Sequence, residues 1–218
     1  MQNIKFFYEK VNGSYFFFIG VAISMISIII SIALYITGGA PFSILTNFVS
    51  DLGATTAPNN AFIAFNTGLI LNSILSPFGA LFLFIYFKNK DIEQKGIIQF
   101  WFLANLITSL TTFLVGLFPE DTLLGPHAVA AIITFLFGMI SYCIYGIIII
   151  LIDSIAKYHS IPGFALAAIN IVFMLLWVSN VHISVITLFE WLVLFGGWGF
   201  GIYLGIFAFN AKRSNFHN

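Results

Sequence analysis

Six stretches of this chain carry almost no charge: 14–37, 61–87, 97–118, 127–151, 163–178 and 183–209. Glu190 is the one Asp, Glu, Lys or Arg inside them, and His127 opens the fourth. A helix rises about 1.5 Å per residue, so about 20 apolar residues cross the hydrocarbon core of a bilayer. The fifth stretch is the shortest, because Ser179-Asn180 interrupts its apolar run. The pattern predicts an all-α polytopic bundle of six transmembrane helices. A water-soluble alternative lacks the charge to cover its surface: 7% of the 218 residues are charged and 60% are hydrophobic, whereas soluble domains carry roughly 25% charged residues. The chain is expected to form a single integral membrane domain, 1–218. Net charge is zero, which gives no footing for nucleic acid.

Lys5 and Lys10 ahead of the first stretch would also suit a signal peptide. The apolar run that follows exceeds the roughly 7–15 residues of such a segment, and a retained helix is expected. Cys143, the only cysteine, has no intrachain partner and reads as a small buried hydrophobe.

Orientation follows from the basic residues. Lys5 and Lys10 precede the first span; Lys88, Lys90 and Lys95 separate the second from the third; Lys157 separates the fourth from the fifth; Lys212 and Arg213 follow the sixth. With six spans all of these fall on one side, which the positive-inside rule makes the cytoplasm. Both termini are then cytoplasmic in a cell membrane. A missed span would scatter the lysines over both sides.

Between the first two spans, positions 43, 46, 47 and 50 are polar and their neighbours Phe42, Leu45, Phe48 and Val49 apolar. That is helical spacing, with Pro41 before it and Gly53 after it. A short amphipathic helix over 42–52, lying at the outer surface, is expected.

The acids divide by side. Glu9, Asp91, Glu93 and Asp153 stand beside cytoplasmic lysines as solvated charges. Asp51, Glu120, Asp121 and Glu190 lie on or near the outer side, where no Lys or Arg exists, together with His127 and His182. His159 and His217 fall on the cytoplasmic side and look incidental. Glu190 lies about two turns inside the last span. It is either solvated beside Trp191 at the interface or a buried, paired or protonated carboxyl, since ionisable groups in the membrane usually face the bundle. Within the spans, Asn66, Asn72, Ser73, Asn105, Thr108, Thr112 and Asn170 are expected to bond between helices, and Gly197, Gly201 and Gly205 to let a neighbouring helix approach closely.

The outer-side residues fall in recognisable motifs. Ser50-Asp51-Leu52-Gly53, then Ala57-Pro58 and Phe65-Asn66, resembles the opening motif of the prokaryotic family called domain of unknown function 998. Gly116-Leu117-Phe118-Pro119-Glu120-Asp121 with His127 after it resembles that family's second signature, and Glu190-Trp191 is similar to its late Glu. The resemblance spans about 15–208. More distantly, the Ser-Asp-x-Gly loop is similar to eukaryotic autophagy-modulator and GPI-lipid-remodelling membrane proteins. The resemblance implies a six-helix membrane protein and no particular activity.

Three readings follow. The first is a non-catalytic sensor, assembly or lipid-organising protein whose outer polar pocket comprises Ser50, Asp51, Asn66, Glu120, Asp121, His127, His182 and Glu190. The second is an intramembrane enzyme acting on a lipid or lipid-linked substrate, with these groups as general acid and base. The third is a proton-coupled transporter using Glu190. His127, His182, Asp51 and Asp121 could offer a mixed nitrogen and oxygen metal site, yet no close ligand pair of the HExxH kind is present, so no metal or cofactor is assigned. Expected partners are the lipid bilayer and a lipid or lipid-linked ligand, with no oligomeric state specified. The pocket is expected to bring Asp51, Asp121 and His127 together over Glu190, with His127 touching a carboxylate.

Overall fold

The computed structural model describes residues 7, 8, 10–90, 92–179 and 182–215. The roles expected of Lys5, Glu9, Asp91, Asn180 and His217 fall outside them. Six helices follow one another: α1 (Ser14–Thr37), α2 (Ala61–Lys88), α3 (Lys95–Leu117), α4 (Leu124–Leu151), α5 (Ile161–Val178) and α6 (Ile183–Asn215). Among the described residues these six are long and apolar enough to cross a membrane. The protein is a multi-pass membrane protein embedded in a lipid bilayer.

Local chemistry sets the helix ends. Gly39, at φ +86°, takes the left-handed conformation that follows the last turn of α1. Asn59 and Asn60 have φ of 51° and 56° and reverse the chain into α2; asparagine tolerates that region better than other non-glycine residues. Pro162 sits in the first turn of α5, where its missing N–H costs nothing. The Lys157 ammonium donates to the carbonyls of Ile150 and Ile152 at 2.6 and 3.0 Å and so caps α4. Its contact with Asp153, 3.4 Å between two exposed groups, adds little.

Each helix packs against its neighbours in the chain, and α6 returns against α1. The bundle is thus a ring of six in chain order. Small residues let the walls come close. A Cβ on Gly201 would lie 2.6 Å from Val21 Cγ2, and one on Gly205 would lie 2.6 Å from the Phe18 ring. Gly201 and Gly205 therefore serve contact with α1 inside the bundle, whereas Gly197, expected to share that role, meets nothing within 4 Å. The α1–α2 seam places Gly68 against Ser27 and Gly20 against Asn72 in the same way.

Because the helices alternate in direction, Lys10, Lys88, Lys90, Lys95, Lys157 and Lys212 share one end of the ring. This lysine end is filled by buried rings, among them Phe87, Trp101, Tyr145, Phe200 and Phe207. The opposite, acidic end carries loop 1 (residues 38–57) and loop 2 (118–123). A smaller cluster of Ile28, Val49, Leu52, Phe65 and Trp191 packs there.

The amphipathic helix expected over 42–52 does not form. The Ser43 carbonyl accepts from Thr46 and Asn47 in a single turn, and helical structure resumes only in the 3-10 turn Ser50–Gly53. The Asp51 side chain takes the Phe48 N–H that a helix would have used, and the Asn47 side chain takes the Ser43 N–H. The apolar residues still face inward: Val49 and Leu52 are buried, and Phe42 packs edge-on against Tyr35 and Trp191. Leu45 stays exposed.

Candidate functional site

Loop 1 lies across the acidic end of the ring and is fastened from three directions. From α6, Glu190 Oε2 accepts the Val49 N–H at 2.7 Å, and the Trp191 indole N–H donates to the Asn47 carbonyl at 2.9 Å. From α2, the Asn66 amide donates to the Gly53 carbonyl at 3.1 Å. From loop 2, Asp121 accepts from the Thr55 N–H, the Thr55 hydroxyl and the Thr56 N–H at 2.9, 2.8 and 3.0 Å. Within the loop, Asp51 accepts from the Phe48 N–H and the Asn47 amide at 2.9 and 3.3 Å. Asp51, Asp121 and Glu190 thus each accept from backbone N–H groups, donors that need no cation.

Two of these carboxyls titrate in opposite directions. The Thr55 backbone N–H, helped by the Thr55 hydroxyl and by Thr56, pulls Asp121 down to about 2, against a smaller effect of desolvation. Burial, and after it the charge of Glu120, pushes Asp51 above its ordinary value, against the donors Asn47 and Phe48.

Beneath the loop the ring is hollow. A cavity of about 440 Å3 runs down its centre, lined by all six helices and by Phe48, Val49 and Ser50 of loop 1. Glu120, His127 and Glu190 stand at its acidic end; Phe17, Tyr142 and Leu204 line it far below. From Glu190 to Leu204 the lining follows α6 over ~21 Å of helix rise. The walls are mainly aromatic and aliphatic, with hydroxyls and amides set among them. Several of these join neighbouring helices: Ser76 with Ser109 at 2.7 Å, Asn105 with Ser141 at 2.8 Å, Thr134 with Thr111 at 2.8 Å and Trp198 with Ser24 at 2.9 Å. Above the hollow, a vestibule of about 400 Å3 is lined by Asp51, Thr56, Asp121 and Glu120, among others. Glu120 borders both spaces, and its Oε2 is buried with no hydrogen-bond donor among the described residues.

The residues expected in a single pocket are therefore divided. Ser50, Glu120, His127 and Glu190 border the hollow; Asp51 and Asp121 border the vestibule; Asn66 holds the loop between them. Glu190 stands near the top of the hollow, beside loop 1. His127 is 6% exposed, and its Nδ1 bonds the Phe118 carbonyl at 2.7 Å. That ring bond goes to a backbone oxygen where a carboxylate was expected. A carbonyl only accepts, so Nδ1 carries the proton. His182 does not join the group: it is exposed at the start of α6, where its Nδ1 accepts the Ser184 N–H at 3.4 Å. Among the described residues, no three His, Cys, Asp or Glu side chains converge as metal ligands.

Some partners were not read from the sequence. Thr55 and Thr56 supply the donors to Asp121, and Ser76, Ser109, Thr134 and Ser141 complete the interhelical pairs. The Thr-Thr pair inside the stretch 54–60, otherwise alanine, proline and asparagine, was the available signal. His159, expected to be incidental, bonds the Tyr203 hydroxyl at 2.7 Å and ties the α4–α5 connection to α6.

Fold and site together define a six-helix membrane protein built around a capped internal cavity. The chain belongs to the family described as protein of unknown function (DUF998), which it matches over residues 18–206. No curated protein and no solved structure matches it.

Proposed function

We propose that this is a non-catalytic, lipid-organising membrane protein that holds a lipid or lipid-linked molecule in the hollow of its ring. The supporting observation is the hollow itself: a long, mainly apolar space of about 440 Å3 inside the bundle, within the size range of small-molecule sites. Its hydroxyls and amides bond across helices, as Ser76 with Ser109, or within their own helix, as Asn170 with Leu166. The aromatic packing at the lysine end argues for a space loaded from one end. By the positive-inside rule the acidic end faces outward and both termini face the cytoplasm of a cell membrane. Ligand then enters from the outer leaflet or the vestibule, with loop 1 as its cover. The whole chain acts as one domain.

Gly197 offers a direct test, because it lines the hollow and a Cβ there meets nothing within 4 Å. Gly197→Phe would fill the space without disturbing a helix contact. Purified protein in nanodiscs would be exposed to a photoactivatable long-chain alcohol. Wild type should be labelled on hollow-lining peptides, and Gly197→Phe should lose most of that labelling. Equal labelling of the two proteins, or labelling confined to the lipid-facing surface, would overturn the reading.

A further inference from the structure

We propose that the hollow takes an amphiphile with a primary amine headgroup, seated between Glu120 and Glu190 with its chain running down the ring. The inference rests on the lipid-holding reading above and adds the chemical class of the ligand. Three observations carry it together. The first is the shape of the cavity, apolar along its length with its two carboxyls confined to one end. The second is the buried Glu120 Oε2, which has no donor among the described residues. A buried acceptor left without a donor is costly, and a ligand ammonium would supply both hydrogen bond and charge. The third is that, among the described residues, no Lys stands at that place: Lys10, Lys88, Lys90, Lys95, Lys157 and Lys212 all fall at the lysine end.

The remaining groups fit this assignment. Glu190 gives one oxygen to the Val49 N–H, and a carboxylate accepts through both of its oxygens. Ser50 borders the same end of the cavity. His127 bonds the Phe118 carbonyl through Nδ1, which leaves Nε2 free of that bond. Asp51, across the vestibule, adds negative charge to the approach. An anionic headgroup would meet several carboxylates and, among the described residues, no Lys. A neutral hydroxyl would bond without relieving their mutual repulsion.

The test compares three photoactivatable amphiphiles of equal chain length, a primary amine, an alcohol and a sulfate, on protein in zwitterionic nanodiscs at neutral pH. Labelling of the hollow should favour the amine over the alcohol by about tenfold, the return of one charge-assisted bond, with the sulfate weakest. Glu120→Gln should bring amine labelling down to the level of the alcohol in the same variant. Glu190→Gln, which keeps an oxygen for the Val49 N–H, should lower amine labelling as well. Equal labelling by amine and alcohol in wild type, or undiminished amine labelling in Glu120→Gln, would overturn the headgroup assignment while leaving lipid holding in place. Failure of all three amphiphiles to label the hollow would overturn both. The wild-type series decides the matter even if a variant misfolds.

Discussion

Asp51 and Asp121 stand in facing loops at the same end of the ring, and the groups around them set them to opposite tasks. Asp121 is held at about 2 by donors from Thr55 and Thr56. Its folded value lies below its unfolded one, so its contribution is present above the ordinary aspartate range and is lost only as pH falls through about 2. Asp51 has a raised folded value. The folded protein therefore binds its proton more tightly than the unfolded chain does, and the associated stability declines as pH rises through that value. Two measurements follow. Hydrogen-exchange protection of 54–57, taken relative to the intrinsic rate at each pH, should be unchanged on mild acidification and fall several-fold in Asp121→Asn, which loses the charge that both threonines meet. Carboxyl NMR of labelled aspartate should place the Asp51 midpoint above the ordinary range and show it falling in Glu120→Gln, because the Glu120 charge is one of its two causes. An Asp51 midpoint unmoved by that substitution would leave burial as the sole cause.

At the scale of elements, the spans were legible because a bilayer imposes one demand on every residue of a crossing helix. Loop 1 was misread for a reason that is equally physical. Periodicity at 43, 46, 47 and 50 reports which side chains share a face; it carries no information on where the backbone hydrogen bonds go. The Val49 N–H and the Asn47 carbonyl are claimed by Glu190 and Trp191, 141 and 144 residues away, and no local pattern announces that competition. The outer acids were legible as a group since nothing of opposite charge lies near them in the sequence; their division between vestibule and hollow depends on how loop 1 folds. Trp191→Phe, which keeps the ring and removes the donor, should lower thermal stability in detergent by about 0.5–1.5 kcal/mol. The glycine contacts make a larger prediction. Gly201→Leu would drive a side chain into Val21, a stiff β-branched residue in α1, and should cost about 1–3 kcal/mol by overpacking. An unchanged melting temperature in that variant would mean that the α1–α6 seam yields freely.

For the molecule as a whole, the alternation of helix directions and the grouping of lysines make one topological forecast. With Cys143 replaced by Ala, single cysteines at the exposed positions Asn59, Leu123, Asn89 and Tyr158 report the two ends of the ring. An impermeant thiol reagent applied to intact cells should label positions 59 and 123 and spare 89 and 158. Labelling of 89 and 158 alone would invert the protein and place the vestibule in the cytoplasm.

The order of helices around the ring also bears on how the protein is made. Five of its six seams join neighbours in the chain and are available as soon as each hairpin enters the membrane, whereas the α1–α6 seam waits for the last span to leave the ribosome. Glu190 and Trp191 ride on that last span. Until it arrives, the hollow stands open along its whole length towards the surrounding lipid, and the segment that will cover it has nothing in α6 to grip. A nascent chain halted after α5 would be a five-walled trough, open to the bilayer along one side until the final helix docks.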